Sequence, residues 1–288
     1  MLIDTHAHLD YPDFQQDFGS VLERAAAAGV TRIVTIGTSI ESSRRAVALA
    51  EKYPMIYAAI GVHPTSVLEA EEDVVTPLRE LAKSPRVVAI GETGLDYHRL
   101  PGKELDKEFT AKLLRVMQSE LSSDIEGAIR DGAYKSAQAA LFQQQLDLAC
   151  ELGLNVIIHQ RDAWDDTLDL LRPYSGKLRG VFHCFGGTFA QAGQVLELGH
   201  MISFTGIVTF KNAPLVHEDA AKVAPEKYMV ETDCPYLAPV PYRGKRCEPA
   251  YTRIVAETVA RLRNQTLEEV AAQTTRNAEE FFRFSRGA

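Results

Sequence analysis

At 288 residues, 45% of them apolar, the chain has ample material for the core of one large α/β barrel or two modest domains, and its 24% of charged residues is ordinary for a soluble protein. No apolar run approaches the roughly 18 residues that span a bilayer, which excludes a membrane helix, and Met1-Leu2-Ile3-Asp4 lacks the basic and apolar stretches of a secretory signal, so a cytoplasmic protein is expected. The net charge of −8, from 31 basic and 39 acidic residues, argues against a protein that coats duplex DNA nonspecifically but leaves room for an enzyme that takes a few nucleotides into one pocket.

Taken in chain order, apolar β-branched runs alternate with helical patterns. The run at 2–4 precedes a helix at 14–28, 32–36 precedes 41–52, and 56–60 precedes 69–82. The run at 87–90 is followed, after a long stretch, by a helix at 137–152. Then come 156–158 and 163–171, 180–182 and 189–198, 201–204 and 214–224, and 228–230 with a helix at 249–262. Eight alternations point to a (β/α)8 TIM barrel rather than an open doubly wound sheet, and no glycine-rich dinucleotide fingerprint follows the first run. Thr266-Leu267-Glu268-Glu269 is a capping-box pattern that starts a further C-terminal helix. With no linker, repeat or low-complexity tract, 1–288 reads as one domain.

One segment is too long for a single barrel crossover, that between Asp96 and Phe142. Leu105, Phe109, Leu113, Val116 and Met117 recur at helical spacing, Ser122-Ser123-Asp124 offers caps for a second helix over 125–130, and Gly132 is placed to stop it. A helical insertion over about 104–135 is therefore expected after the fourth strand. It reads either as an added peripheral helix pair or as a lid or protein-partner surface.

Histidines and carboxylates stand at the ends of the apolar runs. His6 and His8, two apart on a short strand, point the same way and can grip one metal ion, with Asp4 available to hydrogen-bond a ligating imidazole. Glu92 ends the fourth run, and a position between two divalent ions would supply the partner that a buried carboxylate needs. His159 and His183 end the fifth and sixth runs and form a nitrogen pair for a second metal. Asp233, beyond the eighth, can ligate metal and accept a proton from bound water, with Glu231 one layer deeper on the same face. His63, after the third run, is a candidate for binding a substrate oxygen, although a loop-ordering role explains it equally well. The four cysteines form no CxxC pair and read as reduced, packed thiols, with Cys184 and Cys234 turned away from the site by strand alternation. Two divalent ions roughly 3.5–4 Å apart activate water and stabilise both entering and leaving oxygens. Mixed histidine and carboxylate ligands favour Zn or Mn over Mg. These ligands specify metal-assisted hydrolysis without choosing between a phosphodiester and a small ester, amide or aminoacyl bond.

The chain resembles the TatD family of metal-dependent deoxyribonucleases, within the amidohydrolase-like barrels, over nearly its whole length. The resemblance rests on Asp4-Thr5-His6-Ala7-His8-Leu9-Asp10, Gly61-Val62-His63-Pro64, Gly91-Glu92-Thr93-Gly94-Leu95-Asp96-Tyr97, Ile158-His159, His183-Cys184-Phe185 and Glu231-Thr232-Asp233-Cys234-Pro235-Tyr236-Leu237. It implies a (β/α)8 fold and 3′→5′ exonuclease hydrolysis of DNA, acting on short or single-stranded ends. It also implies one metal on His6, His8, Glu92 and Asp233 and another on Glu92, His159 and His183, with Glu92 bridging and Asp233 assisting the water. Arg243 and Arg246 fall in the loop that the resemblance assigns to substrate phosphates, where arginine's fork suits oxyanions. The insertion after Tyr97, and Cys247 where asparagine is common, depart from the family pattern. A metal-holding interaction protein that docks a partner through the insertion is the reading from another class.

Overall fold

Strands of a parallel barrel are covered on both faces, so nearly every position must be apolar or paired. Ile56–Ile60 and Val87–Asp96 are buried at every residue, as are Leu2–Ala7, Gly180–Phe182, Met201–Phe204 and Tyr228–Val230, whereas Asn155–Arg161 is buried over its first four residues only. The computed structural model describes residues 1–98, 100 and 123–284. Eight strands, β1 (Leu2–Ala7), β2 (Val30–Ile36), β3 (Ile56–Ile60), β4 (Val87–Asp96), β5 (Asn155–Arg161), β6 (Gly180–Phe182), β7 (Met201–Phe204) and β8 (Tyr228–Val230), pair in sequence order. Every ladder is parallel. The last seam is closed by the chain that follows β8. Ala7 bridges Cys234, Asp233 N donates to His6 O (2.9 Å), and His8 N donates to Cys234 O (2.8 Å). The expected barrel is thus present, and its closure draws Asp233 beside His6 and His8.

Helices α1 (Phe18–Ala27), α2 (Ile40–Lys52), α3 (Val75–Leu81), α4 (Ser123–Leu152), α5 (Trp164–Leu171), α6 (Phe189–Glu197), α7 (Pro214–Lys222), α8 (Thr252–Arg263) and α9 (Leu267–Phe282) surround the strands. Side-chain caps open several of them: Ser39 accepts from Ser42 N at α2, and capping boxes Thr188–Gln191 and Thr266–Glu269 start α6 and α9. Strand alternation sorts the apolar residues into two layers. Ile3, Val34, Ile36, Tyr57, Val88, Ile157, Val181, Met201 and Met229 form an inner cluster that also holds Phe281 and Phe282 of α9. Asn155, the first residue of β5, donates to Phe281 O (2.6 Å), so α9 caps the barrel where the strands begin and leaves their carboxyl ends to the site.

Two expectations change. Gly132 does not stop a helix: α4 runs unbroken for 30 residues through it. Glycine there faces open space, and its cost of about 1 kcal/mol is small beside the burial of Phe142, Leu146 and Ala149 on the same helix. Helix α3 is seven residues long, not the expected fourteen of 69–82. The pattern from Leu105 to Met117, and the partner surface read from it, lie outside the described residues.

Candidate active site

The polar residues gather where the strands end, as in other barrels of this kind. His6 Nε2 lies 3.5 Å from Glu92 Oε2 and 3.7 Å from Asp233 Oδ1, and His8 Nε2 lies 3.7 and 3.3 Å from the same two oxygens. The other Glu92 oxygen, Oε1, is 2.8 Å from His159 Nδ1 and 2.7 Å from His183 Nε2, and those two nitrogens are 3.1 Å apart. One carboxylate therefore faces two groups of ligand-type atoms, with one oxygen to each. Gly91 makes this possible: it sits at φ +138°, and a Cβ there would collide with the backbone of Ile157. Asp233 itself holds a left-handed backbone, φ +59°, anchored by its bond to His6 O.

The site suits cations. His6 Nε2 is buried, aims at two carboxylates, and has no hydrogen-bond partner among the described residues. Metal–ligand bonds of 2.0–2.2 Å in a tetrahedral shell would set ligand atoms about 3.3 Å apart, close to the 3.3–3.7 Å separations around His6 and His8, whereas the Glu92 Oε1, His159 and His183 atoms stand closer, at 2.7–3.1 Å. Ligand-type atoms of His6, His8 and Asp233, of His6, Glu92 and His183, and of His63, Glu92 and His159 lie within 4.8 Å of one another in each group. Burial raises the Glu92 carboxyl, but facing His183 and His63 and accepting from His159 and His183 reverses this and holds it well below the usual range. Burial likewise raises Asp233, and the His8 hydrogen bond with the neighbouring His6 overcomes it, so Asp233 also titrates below its ordinary value.

His63 is brought to Glu92 Oε1 at 3.4 Å, but as a donor. Thr65 N donates to His63 Nδ1 (3.1 Å), which uses that lone pair and leaves the ring proton on Nε2. Burial lowers the pKa of His63, favouring the neutral ring. His63 therefore offers an N–H to the site, not a lone pair.

Other residues depart from expectation. Asp4 meets no imidazole; it accepts from Thr232 N (2.9 Å) and Thr232 Oγ1 (2.7 Å) and so fixes the turn that presents Asp233. Glu231 accepts from Cys184 N (2.7 Å) and holds the turn after β6. Cys184 lines the cleft and is not turned away, because β6 stops at Phe182 and alternation ends with it. Arg243 and Arg246 do not line the cleft: Arg243 lies over the Phe210 ring, and Arg246 is held by Asp17 through two bonds of 2.7 and 2.8 Å and by Asp13 O. Among the described residues, the arginine that does line it is Arg161, at the end of β5. Tyr11, Trp164 and Tyr236 add aromatic walls to this cleft of about 1050 Å³. Asp96, four residues after Glu92 and hence on the same strand face, was open to detection by alternation alone; its Oδ2 lies 3.1 Å from His159 Nε2.

Fold and site together define the class, a metal-dependent hydrolase on a (β/α)8 barrel. The TatD-related DNase family matches residues 3–283, and the chain belongs to that family. It is 38% identical over 286 residues to the uncharacterized metal-dependent hydrolase YabD of Bacillus subtilis strain 168, covering 99% of this chain and 100% of that one. It is 33% identical over 287 residues to the 3′-5′ ssDNA/RNA exonuclease TatD of Enterobacter lignolyticus, covering 98% of each. Among solved structures, the TatD homolog YjjV of Escherichia coli K12 matches at a TM-score of 0.81 and 29% identity, over 98% of each chain. Among the described residues no helix is long and apolar enough to cross a membrane.

Proposed function

We propose that this chain is a two-metal exonuclease that hydrolyses phosphodiesters at the 3′ ends of short or single-stranded DNA. The observation that carries the reading is Glu92, whose Oε2 faces His6 and His8 while its Oε1 faces His159 and His183. Asp233 with His6 and His8 would complete one divalent site, and His159 with His183 the other; Zn or Mn suits this donor set better than Mg. When bound, such ions neutralise charge building on the phosphate and make water a better nucleophile.

The protein's own groups do the rest. Asp233, ionised at neutral pH, accepts the proton of the attacking water. The Nε2–H of His63 donates to a phosphate oxygen, and Arg161 pairs with a neighbouring phosphate. Tyr11, Trp164 and Tyr236 offer faces on which unstacked bases can lie, which favours single strands over duplex. The exonuclease name of the Enterobacter relative supports the same reading.

Nucleotide release from 3′-labelled single-stranded DNA with Mn2+ or Mg2+ tests it, comparing wild type with Asp233→Asn purified identically. Release by wild type alone supports the reading; equal release by both, or by neither in folded and metal-replete protein, contradicts it. One feature favours a second reading: among the described residues lining the cleft, Glu92, Asp96, Asp162 and Asp233 face a single arginine. That balance suits a small, less charged ester, amide or aminoacyl substrate, and a substrate panel scored by kcat/KM separates the two.

A further inference from the structure

We propose that Asp96 is a positioning residue that commits His159 to binding metal through Nδ1, by accepting a hydrogen bond from its Nε2–H. The inference rests on reading the Glu92 cluster as a metal site, and it adds a residue that this reading does not require.

A carboxylate can only accept. Asp96 Oδ2 lies 3.1 Å from His159 Nε2, so this contact is a hydrogen bond when Nε2 carries the proton. In a neutral ring the lone pair then falls on Nδ1, the nitrogen 2.8 Å from Glu92 Oε1 and 3.1 Å from His183 Nε2. Without an ion Glu92 Oε1 can accept from Nδ1 as well, at 2.8 Å, so the Asp96 contact decides the tautomer once a cation takes the place of that proton; the opposite tautomer would then put a lone pair against the Asp96 carboxylate and a proton where a ligand atom is needed.

Asp96 is held for this task. Its other oxygen accepts from His98 N at 2.9 Å. Its backbone N donates to Gln138 Oε1 (2.9 Å), and its carbonyl accepts from Gln138 Nε2 (3.1 Å). Gln138 is fully buried on α4, so the clamp is rigid and dry. The β4–β5 ladder adds the register, pairing Gly94 with His159 and Asp96 with Arg161. His159 differs here from its neighbours: the Nδ1 atoms of His6, His8 and His183, their nitrogens turned from Glu92, have no hydrogen-bond partner among the described residues, and the carboxylate behind His183, Glu231, stands off at 3.8 Å. A carboxylate behind a ligating imidazole fixes ring orientation and raises basicity, and its loss costs about 10–100-fold in metal affinity.

The test uses the full chain, Zn2+, and two readouts: affinity by chelator competition, and long-range proton–nitrogen NMR of the histidine rings. In Zn2+-loaded wild type His159 should carry its proton on Nε2. Asp96→Ala should lower Zn2+ affinity by about 10–100-fold and mix the His159 tautomers. Asp96→Asn, which keeps an acceptor oxygen, should recover most of both. A Zn2+-loaded wild-type His159 protonated on Nδ1 overturns the proposal without recourse to any variant. So does Asp96→Ala within twofold of wild type in affinity, or Asp96→Asn as damaged as Asp96→Ala. A wild-type chain that takes up no Zn2+ overturns it together with the metal reading, whereas DNA cleavage bears on neither readout.

Discussion

Gln145 on α4 ties two strand exits together, and replacing it with leucine should show how much that tie contributes. Its Oε1 accepts from Val62 N (2.8 Å), and its Nε2 donates to Val62 O (3.0 Å) and to Thr93 Oγ1 (2.7 Å). Gln145, Val62 and Thr93 are all buried, so the leucine variant leaves three polar groups without partners and without water. At about 1.5 kcal/mol each, less about 1.5 kcal/mol regained by the apolar side chain, the expected loss is about 3 kcal/mol. Urea unfolding followed by circular dichroism measures it: the midpoint should fall while the slope stays unchanged. Because Val62 precedes His63 and Thr93 follows Glu92, turnover should fall as well. A stability loss under about 1 kcal/mol would refute the reasoning, since buried unpaired groups cannot cost so little.

The two arginine positions should separate cleanly in a DNA-binding assay. Arg161→Met should weaken single-stranded DNA binding and reduce its salt dependence by about one counterion, whereas Arg246→Met should lower thermal stability and leave KM within about twofold. Equal effects on binding would return Arg246 to the substrate path. His200 should make the protein acid-sensitive. Burial, with Arg179 nearby, pushes its pKa down to about 4, below the unfolded value of about 6.5. The unfolded chain therefore takes up the proton first. Stability is full above about pH 6.5, falls as pH drops, and levels off below about pH 4, a loss of about 3 kcal/mol. His200→Gln should lack this component when urea unfolding is compared at pH 7 and pH 4.

The strands were the most legible part of the chain. The runs at 56–60, 180–182, 201–204 and 228–230 coincide with β3, β6, β7 and β8, because short parallel strands are continuous apolar stretches between turns. β4 was read short, to residue 90, because Gly91-Glu92-Thr93-Gly94 breaks the apolar run while the ladder continues to Asp96 and Arg161. Gly132 looks like a helix stop locally, but α4 continues through it because tertiary packing decides. At the site, the shared face of His6 and His8 follows from alternation, and the convergence of Glu92, His159, His183 and Asp233 follows from barrel geometry. The fate of Arg246 does not, because its partner Asp17 is 229 positions away in the chain. The same holds for Asp4, whose acceptors are satisfied by Thr232 across the closing seam.

The bridging carboxylate is the centre of this account, and metal content tests it without reference to any substrate. Wild-type chain purified in excess Zn2+ and passed through a desalting column should carry two ions per chain by elemental analysis, and Asp233→Asn should retain more metal than Glu92→Ala, which should lose its metal. Two ions per chain in folded Glu92→Ala would contradict the bridge, and with it the two-metal reading of the site.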